Sequence, residues 1–197
     1  YPLHYVQEQL GFRKDVLIVN VSLLGGSTRY INSYKDKVNE AIPMPSSIDY
    51  SYSEPLNAIH IEGSRTSSRN TTTISKALKQ IQDRKTCPKY IKIPLPLNKG
   101  EEQSSIKIKI ESQNIYQSDI ALLDILANFK WERPLYFIND RQTFDSFNGM
   151  MDYVQEEGVI SRLVPFNDLE RVNIDKSYDL LMNKYSYSNI KDIQETD

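Results

Sequence analysis

Apolar residues open the chain at helical spacing. Leu3, Val6 and Leu10 share a face and Gly11 offers a stop, which predicts a helix over residues 1–10. Residues 15–24 read DVLIVNVSLL, a β-branched run ending at Gly25 and Gly26. It is apolar enough for a strand buried on both faces. Ser27 or Thr28 then caps a helix to about residue 41, with Tyr30, Ile31, Tyr34 and Val38 at its spacing. Residues 42–72 lose the period and fill with Pro, Ser, Thr and Tyr. They predict a long irregular excursion holding one short strand, 58–61. Loops of that length inside a domain are unusual and often functional.

Regularity then returns. Ile74, Leu78 and Ile81 form the stripe of a helix over 73–84. Residues 90–97 and 106–110 read as the arms of a hairpin, the second alternating strictly as IKIKI. Pro94 and Pro96 push the first arm towards a sheet edge. Ser118 is the expected cap of a helix over 119–130, striped by Ile120, Leu123 and Ala127. A strand over 135–138, a helix over 144–157 stopping at Gly158, a strand over 159–165 and a helix over 174–185 complete the pattern. Strands separated by helices imply crossovers. The expected fold is α/β: a mostly parallel, doubly wound (Rossmann-like) sheet with helices on both faces and an antiparallel edge hairpin. Without an internal repeat or a clear linker, residues 1–197 are expected to form a single domain.

Composition narrows the function more than the fold. With 24 Lys and Arg against 26 Asp and Glu, the net charge is −2. That balance gives no footprint for nucleic acid and no polybasic membrane patch. A single cysteine, Cys87, excludes an internal disulfide. His4 and His60 are too far apart for a ligand pair, so no metal and no cofactor is expected. No apolar run approaches the length of a membrane span. The chain starts at Tyr1 without a signal-peptide pattern, and is expected to be a piece of something longer.

Two segments carry candidate chemistry. Gly26, Ser27, Thr28 and Arg29 follow the predicted strand where a helix begins, and free backbone N–H groups there suit an anion such as phosphate. The plainer reading is that the glycines only make the turn. Asn139, Asp140 and Arg141 follow the strand over 135–138, where ligands of open α/β sheets sit; ordinary loop polarity explains them equally well. A small-ligand or phosphate-binding domain using both segments is one expectation. A hydrolase built on Asp140, Asp175 and Asp179 is another, although these carboxylates show no converging pair. Cys87 lies in the basic stretch RKTCPKY, which favours a lowered thiol pKa, but no histidine is placed to assist it. The 13 tyrosines are accounted for by packing, with sugar or peptide contact open to the exposed ones.

Four blocks resemble one known family in order and spacing: YPLHYVQEQLGFRKDVLIVNVSLL, SDIALLDILANFKWERPLYF, FNGMMDYVQEEGVISRLVP and VNIDKSYDLLMNKY. They are similar to the C-terminal soluble part of large bacterial multi-pass membrane proteins, once known only as a domain of unknown function. Those proteins are in turn similar to protein O-mannosyltransferases of the GT-C class. The resemblance covers about residues 1–41 and 105–185. It implies an N-terminal bundle of membrane helices outside this chain, which also holds the family's catalytic acidic residue. It implies a non-catalytic domain on the extracytoplasmic (periplasmic) side of the bacterial inner membrane, tethered by those helices. Its partners would be the membrane helices of its own parent and an acceptor protein or peptide. One departure matters: relatives usually carry Asn-Thr and an aromatic where this chain has Gly25 to Arg29, so the glycine turn is not a shared feature.

Overall fold

Period-two alternation in the middle of the chain builds its largest sheet. The computed structural model describes residues 2–11, 13, 15–26, 29–30, 59–62, 71–96, 104–129, 131–138, 140–167 and 171–184. The chain divides into two compact units, Tyr1–Glu132 with Asp145–Gly149, and Arg133–Phe144 with Met150–Asp197.

The first unit contains helices α1 (Pro2–Gln9), α2 (Val21–Gly26), α3 (Ile74–Arg84) and α4 (Gln117–Asn128). Its strands are β1 (Ile59–Glu62), β2 (Thr72–Thr73), β3 (Thr86–Pro88), β4 (Tyr90–Pro94), β5 (Ser105–Ile110), β6 (Asn114–Ile115) and β8 (Phe147–Asn148). They form a three-stranded sheet, β3-β1-β6, and a four-stranded sheet, β2-β4-β5-β8. The inward residues Ile91, Ile93, Ile106, Ile108 and Ile110 are fully buried, as is Phe147. Helix α3 buries Ile74, Ala77, Leu78 and Ile81 along one stripe and ends on Lys85, which takes the left-handed conformation at φ 56°. Helix α4 is buried almost all round from Ile120 to Leu126.

The second unit holds β7 (Tyr136–Phe137), α5 (Asp140–Thr143), β9 (Val154–Glu157), β10 (Ile160–Leu163) and α6 (Ile174–Asp179), which runs on as a π-helical turn over Leu180–Lys184. Its sheet is antiparallel, in the order β7-β10-β9. The two-residue turn between β9 and β10 puts Gly158 at φ 70°, as a first central residue with positive φ requires in such hairpins. Phe137 and Phe144 meet edge-on with centroids 4.6 Å apart, and Met150, Val154, Leu163 and Val164 complete the core.

The fold is mixed α/β, but the described strands depart from a mostly parallel, doubly wound order. Only β1–β3 and β2–β4 pair in parallel; the other strand pairs are antiparallel. A parallel crossover needs a dozen or more residues, which rules it out for β9 and β10, joined by two. The β4–β5 hairpin forms as expected but lies at the centre of its sheet, flanked by β2 and β8.

Two elements differ in type. Residues 15–24 are not a strand: 15–20 are irregular and Val21–Gly26 is a short helix. Asn20 explains the change, because its side-chain oxygen accepts from Leu23 N at 3.3 Å and caps that helix. Residues 144–157 are not a helix but β8, a 3-10 turn over Met151–Tyr153, and β9. Gly149, at φ 96°, breaks any helix there. Helix α4 starts one residue before the expected cap Ser118; Asp119 reaches back to accept from Tyr116 N at 3.0 Å. The expected helix over 28–41 falls mostly outside the described residues, as does most of the 42–72 excursion.

Candidate functional site

Alternation leaves the four-stranded sheet with one open polar face. Register places Lys92 directly opposite Lys107, and Tyr90 opposite Lys109. On the flanks Thr73 pairs with Lys92 and Asn148 with Lys109. The face therefore carries two rows, Thr73–Lys92–Lys107 and Tyr90–Lys109–Asn148. A shallow groove of about 220 Å³ runs here, lined by Thr71, Tyr90, Lys107, Lys109, Asn148 and Gly149.

Gly149 shapes one wall. A Cβ there would stand 2.5 Å from the Lys107 carbonyl oxygen, so only glycine lets the chain after β8 lie against β5. Glu111 engages two of the lining residues. It accepts from Lys109 Nζ at 2.9 Å and from Asn148 Nδ2 at 2.8 Å. These bonds hold its carboxyl below the usual range, and its oxygen raises the Lys109 ammonium. Among the described residues, neither Lys92 nor Lys107 has a carboxylate in ion-pair range.

The second unit holds a denser charge cluster around Glu157, which is 1% exposed. Lys176 Nζ donates to its Oε2 and lies 3.4 Å from the Tyr136 hydroxyl oxygen. Arg162 Nη1 stands 3.7 Å from Oε1, within ion-pair range but beyond hydrogen-bond length. The bond to Glu157 raises the Lys176 ammonium above its ordinary value. Gly158 N donates to Ser177 Oγ at 3.0 Å, and Asn173 caps α6 by accepting from Lys176 N at 3.1 Å. Both cations face Glu157, so the cluster fastens α6 to the β9–β10 hairpin, although Glu157 Oε1 and Arg162 Nε are buried without a hydrogen-bond partner among the described residues.

The sequence candidates fall elsewhere. Gly25 and Gly26 end α2 instead of following a strand, and Arg29 is exposed one turn on. Ser27, Thr28 and Asn139 lie outside the described residues. Asp140 opens the four-residue α5, and Arg141 is exposed on it. Asp175 is exposed at the start of α6, while Asp179 accepts from Asn183 Nδ2 at 2.9 Å. Burial pushes the Cys87 thiol up to about 12, with Asp119 and Glu62 adding to the rise, so the basic stretch around it does not activate it. His60 is an exposed strand residue. Among the described residues no group of three His, Cys, Asp or Glu is placed to hold a metal, and no helix is long and apolar enough to cross a membrane.

The lysine face escaped sequence reading, although IKIKI displayed half of it; the other half needed the register of β4. The molecule is thus a mixed α/β protein that carries, among the described residues, a lysine-lined sheet face. A family model, TMEM260-associated domain 2, matches residues 1–95 and 92–179, and the chain belongs to that family. No curated protein and no solved structure matches the chain.

Proposed function

We propose that the chain is a non-catalytic domain of a membrane O-glycosyltransferase-like protein with GT-C kinship. In this reading it stands on the extracytoplasmic side of a bacterial inner membrane, packs on its parent's membrane helices, and holds the protein acceptor or braces the membrane part. One observation carries the reading: the match to a TMEM260-associated family over nearly the whole chain, TMEM260 being O-mannosyltransferase-like. The open sheet face adds a surface of the kind a bound protein needs.

The test is deletion of residues 1–197 from the parent in its native host, with expression of the membrane part verified. Glycoproteomics should then show the extracytoplasmic O-glycoproteins lost or altered. The isolated chain should release no sugar from a polyprenyl-phosphate donor. An unchanged glycoprotein set, or turnover of the donor by the isolated chain, overturns the reading.

A further inference from the structure

We infer that the open face of the β2-β4-β5-β8 sheet is a docking surface for an acidic peptide segment, bound by Lys92, Lys107 and Lys109 around the Tyr90 ring. The inference stands on the geometry of the first unit and does not depend on the parent's being a transferase.

Like charges placed directly opposite in an antiparallel pair destabilise it. The register nevertheless sets Lys92 against Lys107, with Lys109 two residues on along the same face. Glu111 answers Lys109 alone. A stability-driven sheet would place a carboxylate or threonine at one of the two positions. Two lysines facing each other in register, with no carboxylate in ion-pair range among the described residues, are accounted for when the counter-charge arrives with a partner.

The groove indicates what kind of anion fits. Tyr90, Ile108, Lys107 and Lys109 line it, and a lysine offers an aliphatic stem to apolar neighbours while its ammonium keeps to water. Such a trough takes side-chain carbon below and carboxylates above. Phosphate recognition favours a planar guanidinium fork or converging backbone N–H groups. No arginine lines this groove, and its strands use their N–H groups in the ladder. Carboxylates spaced along an extended peptide match the two lysine rows better than a compact phosphate does.

The test uses the 197-residue chain and a fluorescein-labelled peptide of alternating Glu and Val, followed by anisotropy at low ionic strength. A Lys–Val peptide, inorganic phosphate and phosphatidylserine vesicles serve as competitors. Saturable binding of the Glu–Val peptide that weakens with salt is the expected result. Lys107→Glu should weaken it about tenfold or more, while melting at or above the wild-type temperature because it now faces Lys92 with an opposite charge. Should that variant fail to fold, Lys92→Gln tests the same face with no added charge, and binding should again fall. No saturable binding, binding unchanged in the variants, or displacement by vesicles or phosphate but not by unlabelled Glu–Val peptide overturns the inference.

Discussion

The two units keep their folds by different means. In the first, the core is aliphatic. Ile91, Ile93, Ile106, Ile108 and Ile110 close one sheet face, and the buried side of α3 and nearly all of α4 supply more apolar area. Each such side chain contributes roughly 1.5–3 kcal/mol by leaving water. In the second, a few apolar side chains are buried among the described residues, whereas Ile138, Val159, Ile174, Tyr178 and Met182 are each more than 60% exposed. There a buried carboxylate, Glu157, is held by Lys176 and flanked by Arg162. A small unit buries less of its surface and relies more on specific links. Apolar burial is indifferent to pH, and ion pairs are not. The first unit should therefore respond most to changes in volume, and the second to changes in charge.

The largest expected effect comes from volume. Ile108→Ala removes a fully buried side chain from the centre of the four-stranded sheet, and should cost about 2–5 kcal/mol. Peptide-resolved hydrogen exchange should show protection lost over the first unit's strands. Protection lost in β9 and β10 alone would break the contrast. Gly149→Ala should come next, at about 1–3 kcal/mol. Its Cβ would meet the Lys107 carbonyl oxygen at 2.5 Å, and φ 96° strains any L side chain. If Ala is tolerated there without loss of melting temperature, the wall of the groove is softer than its geometry says.

Charge should govern the second unit. Lys176→Met leaves Glu157 with Arg162 at 3.7 Å as its nearest cation. Breaking a fully buried pair costs 3–5 kcal/mol, but the Lys176 side chain is 41% exposed and solvent screens it, so about 1–2 kcal/mol is expected. The pH signature is sharper than the magnitude. Lys176 is raised in the folded state, so its contribution is fully present below the ordinary lysine value. It is lost as pH rises through the higher folded value. Urea unfolding followed in β9 and β10 should weaken in that alkaline window for the wild type and not for Lys176→Met. Equal alkaline loss in both would mean that Lys176 does not fasten α6.

How much of this was legible in the sequence depended on how local the cause was. The β4–β5 hairpin, α3 and the core of α4 follow from period alone, since alternation or a helical stripe is written in consecutive residues. Residues 15–24 misled because an apolar β-branched run suits a buried strand, and the deciding group was one polar residue, Asn20, capping α2. The Asn148-Gly149 pair was a turn signal inside a predicted helix, outweighed by the apolar residues around it. The Glu157–Lys176 link joins residues 19 apart, and the Lys92–Lys107 opposition depends on register. Neither can be read from spacing. Of the sequence's own site candidates, Gly26 and Arg29 lie in the first unit and Asp140 and Arg141 in the second. An anion site at a strand end requires a strand before Gly25, and α2 occupies that place.

The smallest expected effect tests whether the first unit also has a pH-sensitive point. Asp119 accepts from Tyr116 N at the start of α4, yet burial raises its carboxyl above the ordinary aspartate value, and bonds from Tyr116 and Ser146 offset this only in part. The folded state therefore keeps its proton to higher pH than the unfolded state does. Between the two values the folded form binds more protons, so stability falls as pH rises through that window and stays lower above it. Asp119→Asn keeps an oxygen for Tyr116 N and removes the charge. Urea unfolding of the first unit across the acid range should then show a flatter slope, with neutral-pH stability equal to or above wild type. Cys87, whose thiol Asp119 helps to raise, should remain unreactive to thiol reagents in the folded variant, because burial is the larger cause. An unchanged acid slope would mean that the helix-start bonds outweigh burial, and the first unit would then be governed by apolar volume alone.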